Sequence, residues 1–168
     1  LAAARRAGDG EELAPRDPHA SADVASWDRY AGPQPGHAEQ VHFARLRPDA
    51  DGKATALLVS PGGQYGAAVS WRAETLPWFT LWKNLGGERD GYVTGIEPGT
   101  NLPNTRSFEE SHGRVVPLAP GAHISFDLAI EVVSGDRLAN SRHAIEALTA
   151  GSEPVIHPKP RSGWSSGA

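Results

Sequence analysis

From residue 38 onward the chain is a succession of short apolar-rich segments cut by turn chemistry, a rhythm of strands rather than helices. Segments 39–45, 54–60, 67–72 and 78–83 have strand-like content. Pro48-Asp-Ala-Asp-Gly52 and Pro61-Gly-Gly63 separate them at the spacing of consecutive antiparallel strands. Further strands are expected at 92–96, 114–118 and 123–133. The last alternates cleanly: Ile124, Phe126, Leu128, Ile130 and Val132 share one face, and Ser125, Asp127 and Glu131 share the other. The first face is expected to be core and the second wet. At 135–150 the period changes, with Leu138, Ile145 and Leu148 at helical spacing, Asp136 in the first turn and Gly151 beyond the end. One amphipathic helix is expected there.

Two flanking stretches lack such a pattern. Residues 1–36 are polar and broken by Gly and Pro, and an irregular lead-in is expected, pinned to the domain by Trp27 and Tyr30. Residues 151–168 are rich in Pro, Ser and Gly around Trp164, and a flexible tail is expected. The β-sandwich domain is thus assigned to 37–150.

Composition narrows the class. The 168 residues suit one domain, and 19 Gly with 14 Pro favour many turns, hence an all-β fold. A net charge of −4 without a basic run gives no footprint for nucleic acid or an anionic membrane. No apolar run is long enough to span a bilayer or act as an export signal. Zero Cys excludes disulfides and thiolate chemistry and is compatible with a reducing cytosol, though on this count the compartment stays open. With no export signal or membrane span visible, a cytoplasmic location is the expectation. Without Met, the chain begins at Leu1, which suggests a processed or truncated product. The seven His show no metal-ligand spacing, and no Gly-rich phosphate loop or hydrolase elbow occurs, so neither metal nor cofactor is expected.

The candidate chemistry centres on Glu97. It follows the apolar Tyr92–Ile96 run and precedes Pro98, which holds it extended at a strand end. On these residues alone, a solvated loop acid and a proton-transfer group are both open readings.

The order of several motifs resembles the aldose 1-epimerase (galactose mutarotase-like) superfamily, in particular its uncharacterised bacterial epimerase-like branch. They are Trp27-Asp-Arg-Tyr30, Pro35-Gly-His-Ala-Glu-Gln-Val41, Leu76-Pro-Trp-Phe-Thr-Leu-Trp-Lys83, Gly95-Ile-Glu-Pro-Gly-Thr-Asn101 and Leu118-Ala-Pro-Gly121, covering about 27–133. The resemblance implies a portion of a large β-supersandwich that interconverts sugar anomers without cofactor, with a small-molecule sugar as partner. It makes Glu97 the general base and Glu39 a sugar-hydroxyl acceptor. It also sets Trp82 as a platform for a pyranose face, Lys83 as a charge partner, and Asn101 and Arg106 within reach of hydroxyls. Core or rim packing for Trp82 and turn structure for Asn101 stay open. The family's general-acid histidine, in a His-Asn strand upstream of the base, has no counterpart among His19, His37 and His42. A carbohydrate-binding module without turnover is therefore the competing reading, and a relic that self-associates through exposed sheet edges is a third.

Overall fold

The computed structural model describes residues 2–4, 12–150 and 154–166. The remaining parts of the expected lead-in and tail lie outside the described residues. The strands are β1 (Ala2–Ala4), β2 (Glu12–Pro15), β3 (Gln40–Ala44), β4 (Lys53–Val59), β5 (Tyr65–Arg72), β6 (Trp78–Asn84), β7 (Val93–Gly99), β8 (Leu128–Ser134) and β9 (Val155–Ile156). Three α-helices accompany them among the described residues, α1 (Pro18–Ser21), α2 (Arg106–Ser111) and α3 (Gly135–Thr149). The strands form a four-stranded sheet in the order β1-β4-β5-β8 and a five-stranded sheet in the order β7-β6-β3-β2-β9. Every pairing is antiparallel except β2 with β9. The expectation of an all-β sandwich with a C-terminal helix holds.

Strand parity assigns the layers. On the five-stranded sheet, Leu13, Ala44, Phe79 and Leu81 face inward. They meet Ala54, Ala56, Val69 and Trp71 of the four-stranded sheet, with Trp27 and Leu76 closing the cluster. Trp71 stacks on Phe79 at 5.6 Å between centroids and donates its indole N–H to Leu76 O. The four-stranded sheet's other face carries Leu57, Val59, Ala68 and Val133, which take Leu138 and Ile145 of α3. Gly66 sits beneath α3, where a Cβ would meet Leu58 O and Leu138 Cδ1. The molecule is thus three layers: five strands, four strands, one helix.

Five sequence expectations change. Residues 114–118 form no strand, and the last long strand is confined to 128–134. Its alternation points the expected way, yet the apolar face is open: Ile130 is 71% and Val132 is 81% exposed. Parity is local and legible in sequence, whereas the opposing layer is not. Within the expected lead-in, β2 joins β3, and Asp17 caps α1 by accepting from Ala20 N. Within the expected flexible tail, β9 pairs with β2 and Trp164 is buried edge-on against Trp78 at 5.2 Å. The aromatic area buried by Trp164 gives this Pro/Gly-rich stretch the reason to order that its composition hides.

Candidate functional site

The outer face of the five-stranded sheet gathers most of the candidate residues. Register places Glu97 of β7 opposite Thr80 of β6, and Gly95 opposite Trp82. Thr80 and Trp82 in turn pair with Phe43 and Val41 of β3. All of these alternate onto one side, the side away from the inter-sheet core. Trp164 and Leu102 pack over Ala14, Val41 and Phe43 at its Trp78 end, while Glu97 stays exposed.

Glu39 joins this face from just before β3. Its Oε2 accepts from the Trp82 indole N–H at 2.8 Å, and its Oε1 lies 3.4 Å from the Arg16 guanidinium. Arg16 is itself anchored by Asp17 at 2.9 Å, at the cap of α1. Burial alone would push the Asp17 carboxyl up, but the Ala20 N–H and Arg16 outweigh it and hold it below its ordinary value. A carboxylate fixed at both oxygens yet half exposed retains lone pairs for further hydroxyl donors.

Glu97 is handled differently. No cation pairs with it among the described residues, and its carboxyl lies back along β7 over Gly95, where a Cβ would collide with Oε1. Gly95 therefore makes the notch that Glu97 occupies. Although the residue as a whole is exposed, this lie of the carboxyl against the strand partly desolvates it, and burial pushes its pKa up. A carboxylate raised in this way is a stronger base than a free one.

Lys83 is not on this face. Next to Trp82 on a strand, it must point to the opposite side, where it is 1% exposed and its ammonium binds Asp23. It also approaches Ser26 O at 3.4 Å and the Tyr30 ring at 5.5 Å. The expected charge partner for a substrate is thus a buried cation tying the lead-in to β6. Asn101 is half-buried and spends its side chain locally, donating to Leu102 O at 2.7 Å and accepting from Thr100 at 3.0 Å. Arg106 is exposed at the start of α2. The structure therefore brings Glu97, Trp82 and Glu39 onto one face, with Lys83 behind it and Asn101 and Arg106 in the loop and helix that follow β7.

The upstream histidines are also placed. His42 is fully buried on the inner side of β3, where burial and then the charge of Lys83 lower its pKa to about 4. Neither of its ring nitrogens has a hydrogen-bond partner of good geometry. His19 contacts Ala38 O at 3.2 Å and packs edge-on with His37. Among the described residues, no histidine is hydrogen-bonded or stacked on Glu97, Glu39 or Trp82. No cluster of His, Asp and Glu there could hold a metal ion.

Sequence reasoning missed Arg16, Thr80 and Gly95. Thr80 and Gly95 were within reach, because period-2 parity around Glu97 and Trp82 selects them. Arg16 was not, since its approach to Glu39 depends on β2 pairing with β3 across a long connection.

Comparison with known proteins agrees with this architecture. Residues 2–132 match the family described as a domain of unknown function, DUF4432, and the chain belongs to that family. The fold is similar to the crystal structure of a putative aldose 1-epimerase from Klebsiella pneumoniae subsp. pneumoniae MGH 78578, with a TM-score of 0.85 and 27% identity. That match covers 95% of this chain and 43% of the Klebsiella chain. The chain thus has an aldose-epimerase-like sandwich and spans less than half the length of that solved relative. No curated protein matches it. No helix among the described residues is long and apolar enough to cross a membrane.

Proposed function

We propose that the outer face of the five-stranded sheet is the base-bearing part of a cofactor-independent aldose 1-epimerase site in a cytoplasmic protein. The observation that carries this reading is Glu97: a carboxylate without a cation, raised by burial and lying on the same face as Trp82 and Glu39. Glu97 takes the proton from the anomeric hydroxyl of a sugar. The ring carbon–oxygen bond then breaks as the ring oxygen is protonated, giving the open-chain aldehyde, and rotation with reclosure yields the other anomer. Trp82 offers its aromatic face to the apolar C–H face of the pyranose, and Glu39, oriented by the Trp82 indole and Arg16, accepts from sugar hydroxyls. The proton for the ring oxygen comes from water or from polypeptide outside the described residues. Asn101 and Arg106 bound the face at its loop end.

A second reading is favoured by one observation, the withdrawal of His42 behind the sheet. Without a protein acid, the face is a sugar-binding surface with no turnover. Proton NMR exchange between anomers of free sugars separates the two. The enzyme reading expects exchange faster than buffer, reduced about 10²- to 10⁴-fold by Glu97→Gln. Exchange at the buffer rate, with sugar-dependent shifts retained, leaves the binding reading alone, and the absence of shifts removes both.

A further inference from the structure

A single short stretch of the lead-in holds Glu39 in place. Arg16 continues β2 past Pro15 and donates its backbone N–H to Val41 O at 2.9 Å, two residues after Glu39. His19, on α1, lies 3.2 Å from Ala38 O, immediately before Glu39. Between these two anchors the guanidinium of Arg16 turns both Nη atoms toward Glu39 Oε1, each at 3.4 Å. The same stretch reaches the other face of the sheet, where Asp23, just after α1, binds the ammonium of Lys83. Trp82 and Lys83 are neighbours on β6 with opposite parity. The lead-in therefore grips β6 from both faces, through Glu39 and Trp82 on the outer one and through Lys83 on the inner one.

Asp17 orients the outer grip. Its Oδ1 accepts from Ala20 N at 2.9 Å, the N-cap bond of α1, and its Oδ2 accepts from Arg16 Nε at 2.9 Å. With Nε held there, the planar guanidinium keeps its two Nη groups for one direction, and that direction is Glu39. Glu39 gives its other oxygen to the Trp82 indole. We infer that Asp17 is a positioning residue for the outer face: it acts through Arg16 to fix Glu39 against Trp82, so that docking of the lead-in sets the affinity of the site. This role rests on the sugar-site reading above. Capping alone does not call for a carboxylate, because Asn caps a helix about as well as Asp. Asn would still satisfy Ala20 N, but its amide group would turn a donor toward the Arg16 Nε–H where Asp17 has an acceptor.

The test combines Asp17→Asn and Glu39→Gln, singly and together, and reads two NMR signals. One is the Trp82 indole N–H resonance, identified by its loss in Trp82→Phe. The other is the set of shifts produced by a panel of free aldohexoses. Asp17→Asn is expected to leave Tm nearly unchanged, since the ion pair it breaks is partly solvated. It is expected to move the indole resonance, to speed its hydrogen exchange several-fold and to weaken sugar binding several-fold. Arg16→Gln, which keeps the cap, is expected to give the same changes. In the Glu39→Gln background, Asp17→Asn is expected to have little further effect on the indole. Three results overturn the inference. They are an indole signal indifferent to both Asp17→Asn and Arg16→Gln, an indole effect of equal size with and without the Glu39 carboxylate, and sugar binding unchanged while the indole moves. An unsubstituted chain that responds to no sugar removes the sugar-site reading and the positioning role with it, and an indole effect in that same chain's variants identifies the reading as the part that failed.

Discussion

Glu97 and Glu109 flank one loop, and their carboxyls are treated in opposite ways. Glu109 is 1% exposed and meets four donors: the Leu102 N–H, Asn104 Nδ2, and Nε and Nη2 of Arg114. Burial alone would raise its pKa, but the hydrogen bonds from Arg114, Asn104 and Leu102 overcome burial and hold it below its ordinary value. Glu97 is less buried and has no such donors, so desolvation acts alone and its pKa rises. The difference is one of partners: one carboxylate is spent on protein donors, and the other has none among the described residues.

The largest effect comes from breaking the spent one. Arg114 also donates to Gly163 O, and Asn104 donates to Trp164 O, so Glu109 ties the loop to the segment that covers Trp78. Glu109→Ala strands Arg114, whose side chain is only 11% exposed, and is expected to cost about 3–5 kcal/mol in urea unfolding. A loss below about 1 kcal/mol would show that water replaces the carboxylate without penalty.

A somewhat smaller effect is set by pH. The folded-state pKa of His42 is about 4, against an ordinary 6.5, because of burial and the Lys83 charge, with Asp23 and Asp17 opposing. Between those values the unfolded chain binds the extra proton, so stability is complete above pH 6.5 and falls as pH drops toward 4. The loss is about 3 kcal/mol from this group. His42→Gln should flatten that part of the stability profile. An unaltered slope would assign acid sensitivity to other groups.

The smallest effect sharpens the free carboxylate. Gly95→Ala places a methyl where the Glu97 carboxyl lies, and lifts that group away from the strand into water. Its pKa, followed by carbon NMR of the side-chain carboxyl, is expected to move down toward the ordinary glutamate value. Anomer exchange, where present in the parent chain, is expected to fall about tenfold, below the loss for removing the base itself. An unmoved titration would mean that Gly95 does not govern the site of Glu97.

Much of the fold was legible where the signal is local. The expected strands near 39–45, 54–60, 67–72 and 78–83 correspond to β3, β4, β5 and β6, and the helix at 135–150 to α3. The parity of Ile130 and Val132 was right as well, but no local pattern announces whether a second layer covers them. β2 and β9 escaped notice because their pairing joins segments more than 140 residues apart, and four- and two-residue strands carry little periodicity. Glu97, Glu39 and Trp82, read together in the sequence as candidates, do share one sheet face. Lys83 was not part of it, and strand alternation alone separates it from Trp82. Arg16 needed the tertiary fold.

The pairing of β9 with β2 also dictates an order of events on the ribosome. Until residues 155–164 have been made, the β2 edge has no outer partner, Glu12 lacks Arg161, and Trp78 lacks Trp164. The Trp78 end of the face bearing Glu97 therefore acquires its cover only after residues 155–164 have been made. A nascent chain stalled short of Trp164 would hold the candidate base on an unfinished sheet.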